Sequence, residues 1–311
     1  DFCLSRGLGD VYKETDIRRK TYMSKIYGAI EAGGTKFVCA VSDENMNILN
    51  RVKIPTTVPE ETMAEVFKFF DENPVCAMGI GSFGPIDVNK KSETYGYITT
   101  TPKQGWANYD FLGDMKKHYD IPYVWTTDVN VAAYGELKRG AARGKESCVY
   151  LTVGTGVGGG GVINGQLLEG YGHPEMGHML LRRHPEDKYE GKCPFHHDCL
   201  EGLCAGPAVE ARHHGVKAYD IPKDDKDWEI EAYYLAQACM TYTLVLSPEK
   251  IIFGGGVSKQ EQLFPMIRKS FKEQMNGYVK TPDLDDYIVH VELGDDAGIT
   301  GCLLLAIEAD K

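Results

Sequence analysis

YGAIEAGGTKFVCAV, residues 27 to 41, reads as strand, glycine turn, strand, and the pattern returns in SCVYLTVGTGVGGGGVINGQLLEG, residues 147 to 170. Gly33 stands in the first turn and Gly154 in the second, 121 positions later. Two halves that each open on a glycine-turned hairpin predict two related domains facing a cleft. Between and after the hairpins, strands and helices alternate. A helix is expected over ETMAEVFKFFDE, with Met63, Val66, Phe67 and Phe70 at helical spacing. VCAMGIGSFGPIDV reads as a buried strand closing on a glycine–proline turn, and IPYVWTTDVN as a strand running to Asp128 with a helix after it. In the second half a long helix, EIEAYYLAQACMTYTLVL, precedes the strand PEKIIFGGGVS, and YIVHVEL and AGITGCLLLAIEA read as a last strand and a last helix. Such mixing indicates α/β layers.

The chain has 311 residues, more than one core usually serves, which agrees with two domains. Its net charge of -11 argues against nucleic acid as a partner, because phosphate backbones need a basic face. A phosphorylated small molecule held by backbone amides and magnesium is compatible with that charge. No apolar run approaches the ~20 residues that span a bilayer. The nine cysteines are scattered, several of them in apolar runs such as FVCAV and GCLLLAI, where a thiol acts as a small hydrophobe. That usage suits a reducing cytoplasm better than a disulfide framework. Residues 1 to 22 lack helical or strand periodicity and Met23 resembles a start, so residues 1–23 are expected to be an extension without function.

Three glycine turns suit phosphate. In EAGGTK, Gly33 and Gly34 let backbone N–H groups approach an anion, and Thr35 adds a hydroxyl. The stretch is neither a Walker loop nor a Rossmann fingerprint, since a strand follows it. GTGVGGGG (Gly154 to Gly161) carries six glycines in eight residues, an ordering cost that an idle turn would not need. FGGGVS (Phe253 to Ser258) closes a strand with bare backbone. In TTDVN, Asp128 either caps the coming helix or presents a carboxylate to a ligand beyond the strand ends. Asn130 is close enough in sequence to share that site. GHPEMGH puts Glu175 and His178 one helical turn apart, a pairing suited to hydroxyl groups.

EAGGTK, GSFGP, TTDVN with the following AAYGE, GTGVGGG, EMGH and CPFHHDCLEG, in this order, resemble the ROK family of sugar kinases, and its bacterial fructokinase branch most. The resemblance runs from about Lys25 to the C-terminus. It implies an actin-like ATPase (ribonuclease H-like) fold: residues 24–133 as the first domain and 134–311 as the second, with the last helix able to pack back on the first. It implies a hexose kinase, with ATP and magnesium in the cleft and D-fructose as the favoured acceptor. By that resemblance Asp128 is the general base, and Gly84, Pro85, Asn130, Glu175 and His178 line the sugar pocket. Gly33, Gly34, Thr35, Lys36, Thr155 and Gly156 would serve the phosphates and Gly254, Gly255 and Gly256 the adenosine, with Pro207 also at the nucleotide. A homodimer is also implied. A glucose or mannose kinase is the alternative within the class. A sugar-responsive regulator is the alternative outside it, disfavoured because no winged helix-turn-helix of ~60–80 residues precedes the first strand.

CPFHHDC, residues 193 to 199, repeats Cys, His and Cys at intervals of three. Many relatives hold zinc between a GH-motif histidine and three cysteines. Here the resemblance implies His178, Cys193, His196 and Cys199 instead, with His197 as the competing ligand. Four protein ligands leave no open position, so the expected zinc is structural.

Overall fold

The computed structural model describes residues 25–311; the expectation for residues 1–23 lies outside them. The first sheet opens with β1 (Tyr27–Ala32), β2 (Lys36–Ser42) and β3 (Ile48–Pro55), an antiparallel meander. After helix α1 (Pro59–Glu72) comes β4 (Ala77–Ser82), parallel to β1. A two-stranded ribbon, β5 (Tyr97–Ile98) and β6 (Tyr109–Asp110), and helix α2 (Phe111–His118) lead to β7 (Tyr123–Thr127), parallel to β4. The strand order is β3-β2-β1-β4-β7.

Helix α3 (Asp128–Arg139) carries the chain to the second sheet. There β8 (Cys148–Val153), β9 (Val157–Ile163) and β10 (Gln166–Leu167) repeat the meander. Helices α4 (Leu200–Cys204), α5 (Gly206–Arg212) and α6 (Asp227–Leu246) follow, and then β11 (Lys250–Gly254), parallel to β8. Helices α7 (Leu263–Met275) and α8 (Leu284–Tyr287), strand β12 (Ile288–His290) and helix α9 (Ala297–Ala309) end the chain. The order β10-β9-β8-β11-β12 has the sense of the first sheet strand for strand. The repeat in sequence is thus a repeat in space: β8 starts 121 residues after β1, and β9 121 after β2.

Three apolar clusters hold this together. One lies between the first sheet, α1 and α2, and one between the second sheet, α6 and α7. The third joins the halves, with α3 and α9 packed between residues of both sheets, so the last helix does return to the first sheet. The two helices cross almost in backbone contact. A Cβ at Gly301 would overlap the Val131 carbonyl, and one at Gly135 the Ala297 carbonyl. Gly301→Ala is therefore expected to lower stability by about 1–3 kcal/mol or more, read as a lower denaturation midpoint.

Two expectations are corrected. The boundary between 133 and 134 falls inside α3, which runs unbroken to Arg139 because no proline interrupts it and Gly135, the one glycine inside it, is packed against α9. In α1 the buried face is Met63, Val66, Phe69 and Phe70; Phe67 is only half-buried, packing at the edge of the same cluster while it stacks on His118, ring centroids 3.7 Å apart.

Candidate active site between the two sheets

Strand β7 ends at Thr127, whose side-chain oxygen accepts from the Asn130 amide at 3.1 Å and caps α3. Asp128 is thereby relieved of capping. Among the described residues its Oδ1 accepts only from the adjacent Val129 amide, at 2.9 Å. The side chain lies at a junction, lining a cavity of about 850 Å³ on one side and a cleft of about 260 Å³ on the other. Burial pushes its pKa up to about 7, helped by the Glu31 carboxylate and, more weakly, by Glu175, against the Val129 amide. A carboxylate with that affinity for protons is matched to taking one from an alcohol near neutral pH.

The larger cavity gathers Gly84, Pro85, Glu175 and His178 from distant parts of the chain. The Gly84–Pro85 bond is cis. The next amide, Ile86 N, donates to His173 Nε2 at 3.0 Å, and His173 Nδ1 lies 3.7 Å from Glu175 Oε1. His173 is therefore a strut between the glycine–proline turn and the Glu175 segment. Sequence reading missed it, although it stands in the quoted GHPEMGH. Glu175 precedes a short 3-10 turn, Met176–His178, closed by the His178 amide donating to the Glu175 carbonyl at 3.1 Å.

Asn130 does not reach the cavity. It is fully buried; its Nδ2 donates to Thr126 Oγ1 at 3.0 Å and its Oδ1 accepts from Gly161 N at 3.2 Å, so it ties β7 to β9. Thr126 Oγ1 in turn donates to Glu169 at 2.6 Å. The expectation that Asn130 holds a ligand hydroxyl is corrected on that geometry.

The smaller cleft carries a cluster of cations despite the acidic chain: Lys36, Arg51, Lys53 and Lys259 line it opposite Glu31, Asp128 and Asp295, and Gly255, at φ +88, forms part of its wall. Glu31 projects into the same space. Burial raises its pKa to about 7 even though Arg51 and Lys36 oppose the rise, and its Oε2 finds no hydrogen-bond partner among the described residues. It was passed over in the sequence as part of the glycine motif. Gly33 and Gly34 form the turn beside this cleft, with Gly33 N donating to Lys36 O at 3.0 Å and Thr56 bracing Gly33 and Thr35.

The other two glycine turns meet each other. A Cβ on Gly154 would come 3.8 Å from Gly256 N, and Gly206 N donates to Gly154 O at 2.7 Å. Thr155 and Pro207 share a hollow of about 200 Å³ with Lys192 and Glu201. Glu201 accepts from Val157 N at 3.1 Å, and a Cβ on Gly156 would sit 2.7 Å from its Oε2. Gly254 lies underneath, packed on Tyr150.

His178, Cys193, His196 and Cys199 converge, each offering a donor atom within 4.8 Å of the others. Cys193 Sγ lies 3.6 Å from His178 Nδ1 and 3.8 Å from His196 Nδ1, and Cys199 Sγ lies 3.6 Å from His178 Nδ1. Zinc–sulfur and zinc–nitrogen bonds of ~2.3 and ~2.0 Å at a tetrahedral angle put such atoms about 3.6 Å apart. His196 is the histidine of the loop that joins; His197 instead pairs its backbone with Cys193 at positive φ. Burial pushes the Cys199 thiol up to about 11, so a bound cation would be needed to hold it as thiolate at neutral pH. The eight cysteines among the described residues are all unpaired with one another.

Two sheets of identical strand order, joined by helices across a cleft with a carboxylate at its junction, define an actin-like ATPase fold. A model described as "ROK family" matches residues 27–309, and the chain belongs to the ROK family. It is 54% identical to the fructokinase of Pediococcus pentosaceus, over 92% of this chain and 99% of that one. It is 51% identical to a putative fructokinase of Bacillus subtilis, over 91% and 95% of the two. Among solved structures it is similar to a ROK family glucokinase from Streptomyces griseus in complex with glucose and AMPPNP. The TM-score there is 0.70 and the identity 25%, covering 92% of this chain and 99% of the other.

Proposed function

We propose that the protein is an ATP-dependent hexose kinase that phosphorylates D-fructose on its 6-hydroxyl. The observation that carries this reading is the position of Asp128, between a cavity that gathers Glu175, His173 and the Gly84–Pro85 turn and a cleft whose lysines and arginine suit phosphates. Likeness to fructokinases at 51–54% identity over nearly the whole chain supports the choice of sugar.

In this reading Glu175 and the Gly84–Pro85 turn hold sugar hydroxyls, and the His173 strut fixes them relative to each other. Asp128, deprotonated, accepts the proton of the attacking hydroxyl as the new oxygen–phosphorus bond forms. Lys36, Thr155, Gly156 and the turn at Gly33 and Gly34 face the nucleotide phosphates, while Pro207 and Gly254 to Gly256 border the adenosine. The unpartnered Oε2 of Glu31 fits a hard divalent cation, and magnesium would screen the phosphate charge there. The two-sulfur, two-nitrogen donor set fits zinc with no position left open, so that zinc would brace the loop rather than react. Need for ATP and the unpaired cysteines among the described residues support a cytoplasmic setting.

The reading is tested by ADP release over a panel of hexoses: fructose is expected to give the highest kcat/KM, whereas a preference for glucose or mannose would move the substrate assignment. Thr155→Val, which removes a hydroxyl from the second turn, should raise KM for ATP and leave that for fructose nearly unchanged. A selective rise for fructose would mean the two sides of the cleft are exchanged.

A further inference from the structure

We propose that His213, Asp225 and Asp227 form a second cation site, separate from the cysteine–histidine loop, for a divalent first-row transition ion such as zinc or manganese. The three residues come from different places: His213 follows α5, while Asp225 and Asp227 lead into α6. His213 Nε2 stands 3.5 Å from Asp225 Oδ1 and 3.5 Å from Asp227 Oδ2, and the three donor atoms lie within 4.8 Å of one another.

The other ring nitrogen decides what that means. His213 Nδ1 lies 3.0 Å from the Val209 carbonyl, which can only accept, so Nδ1 carries the proton. In the neutral ring the Nε2 lone pair then points at two carboxylates, and three acceptors converge with no donor among them. A positive charge belongs between them. Were it merely a second proton on the ring, one charge-assisted bond of ~2.7–2.9 Å to a carboxylate would be expected. Instead Nε2 is equidistant from both carboxylates, sealed from solvent, and without a hydrogen-bond partner among the described residues. Two metal–donor bonds of ~2.1 Å at a tetrahedral angle place their donors about 3.4 Å apart, near the observed spacing. A ligating histidine also characteristically donates its remaining N–H to a backbone carbonyl, as Nδ1 does here. Asp225 Oδ1 accepts as well from Asp227 N at 2.9 Å, which orients it toward the imidazole. Imidazole with two carboxylates suits zinc or manganese better than the wholly oxygen-ligated calcium or magnesium.

Such an ion would clamp the end of α5 to the start of α6. Helix α5 begins at Gly206, whose amide holds the Gly154 turn, so the clamp braces one wall of the cleft. The inference stands on these residues alone and does not depend on which substrate the protein uses.

The test is titration of the metal-stripped full chain with Co2+, followed by absorption. An ion held by Cys193 and Cys199 shows thiolate-to-cobalt charge transfer; one held by His213 and two aspartates does not. The wild type is expected to take up one equivalent that lacks the charge-transfer band. His213→Gln, which can still donate to the carboxylates but supplies no imidazole, should lose that equivalent and keep the thiolate band. Asp225→Asn, a milder change, should do the same if the first variant folds poorly. Absence of a thiolate-free equivalent in the wild type, or its persistence in both variants, would overturn the site.

Discussion

Asp128→Asn is expected to fold and to bind ATP as the wild type does while losing about 10²–10⁴-fold in kcat, the usual worth of a general base. The amide preserves shape and volume, and the helix cap is untouched because Thr127 makes it. What disappears is the ability to accept a proton. The pKa of about 7 adds a second readout. The base works only when ionised, so kcat/KM of the wild type should climb with pH through about 7 and level off above it. Stability should move the other way. A carboxyl whose pKa is higher in the folded than in the unfolded chain binds protons more tightly when folded. It therefore destabilises the fold progressively as pH rises from about 4 through about 7. Asp128→Asn removes that penalty, and at pH 8 its melting temperature should equal or exceed that of the wild type. A variant with near-normal kcat would remove Asp128 from the role of base.

Cys193→Ser is expected to release the metal of the loop and to raise KM for fructose on the order of a hundredfold, with KM for ATP little changed. Cys193 is buried and its sulfur faces both His178 and His196, so a hydroxyl there strips the set of one of its two thiolates. His178 closes the 3-10 turn that begins at Glu175, and His178 itself lines the large cavity. Once the ion leaves, that turn loses its tie to the loop. Displacing a substrate-holding carboxylate by about an ångström can cost on the order of a hundredfold. Lys36 and Gly255 stand on other segments and are spared, so any change in KM for ATP would come through the hollow that Cys193 shares with Thr155 and Pro207. Metal analysis beside kinetics in both substrates decides the matter; full activity in a metal-free protein would show that the loop holds itself together.

Much of this site can be read from the sequence, and the omissions have physical reasons. The glycine hairpins announced the duplicated sheets because a turn that brings backbone near a ligand cannot easily replace glycine. The Cys-x2-His-x2-Cys spacing found its cluster because a tight loop leaves few alternatives for its donors. Asn130 misled because two residues along a helix amount to about 200° around its axis. Asp128 therefore faces the cleft while Asn130 faces the protein interior. Glu31 was hidden inside a glycine motif, yet strand alternation could have found it. It shares a face of β1 with Tyr27 and Ala29, which pack into the cluster between the sheets, and it is the one carboxylate on that strand. His173 and Glu201 act through a backbone amide each, and nothing in sequence spacing marks such partners.

The most direct test of the central claim is the product formed from ATP, magnesium and fructose by the purified protein, read by phosphorus and proton NMR beside ADP release. Fructose 6-phosphate appearing in one-to-one proportion with ADP, and falling with it in Asp128→Asn, is the predicted result. ADP release without a sugar phosphate, or no fructose-dependent turnover, would contradict it.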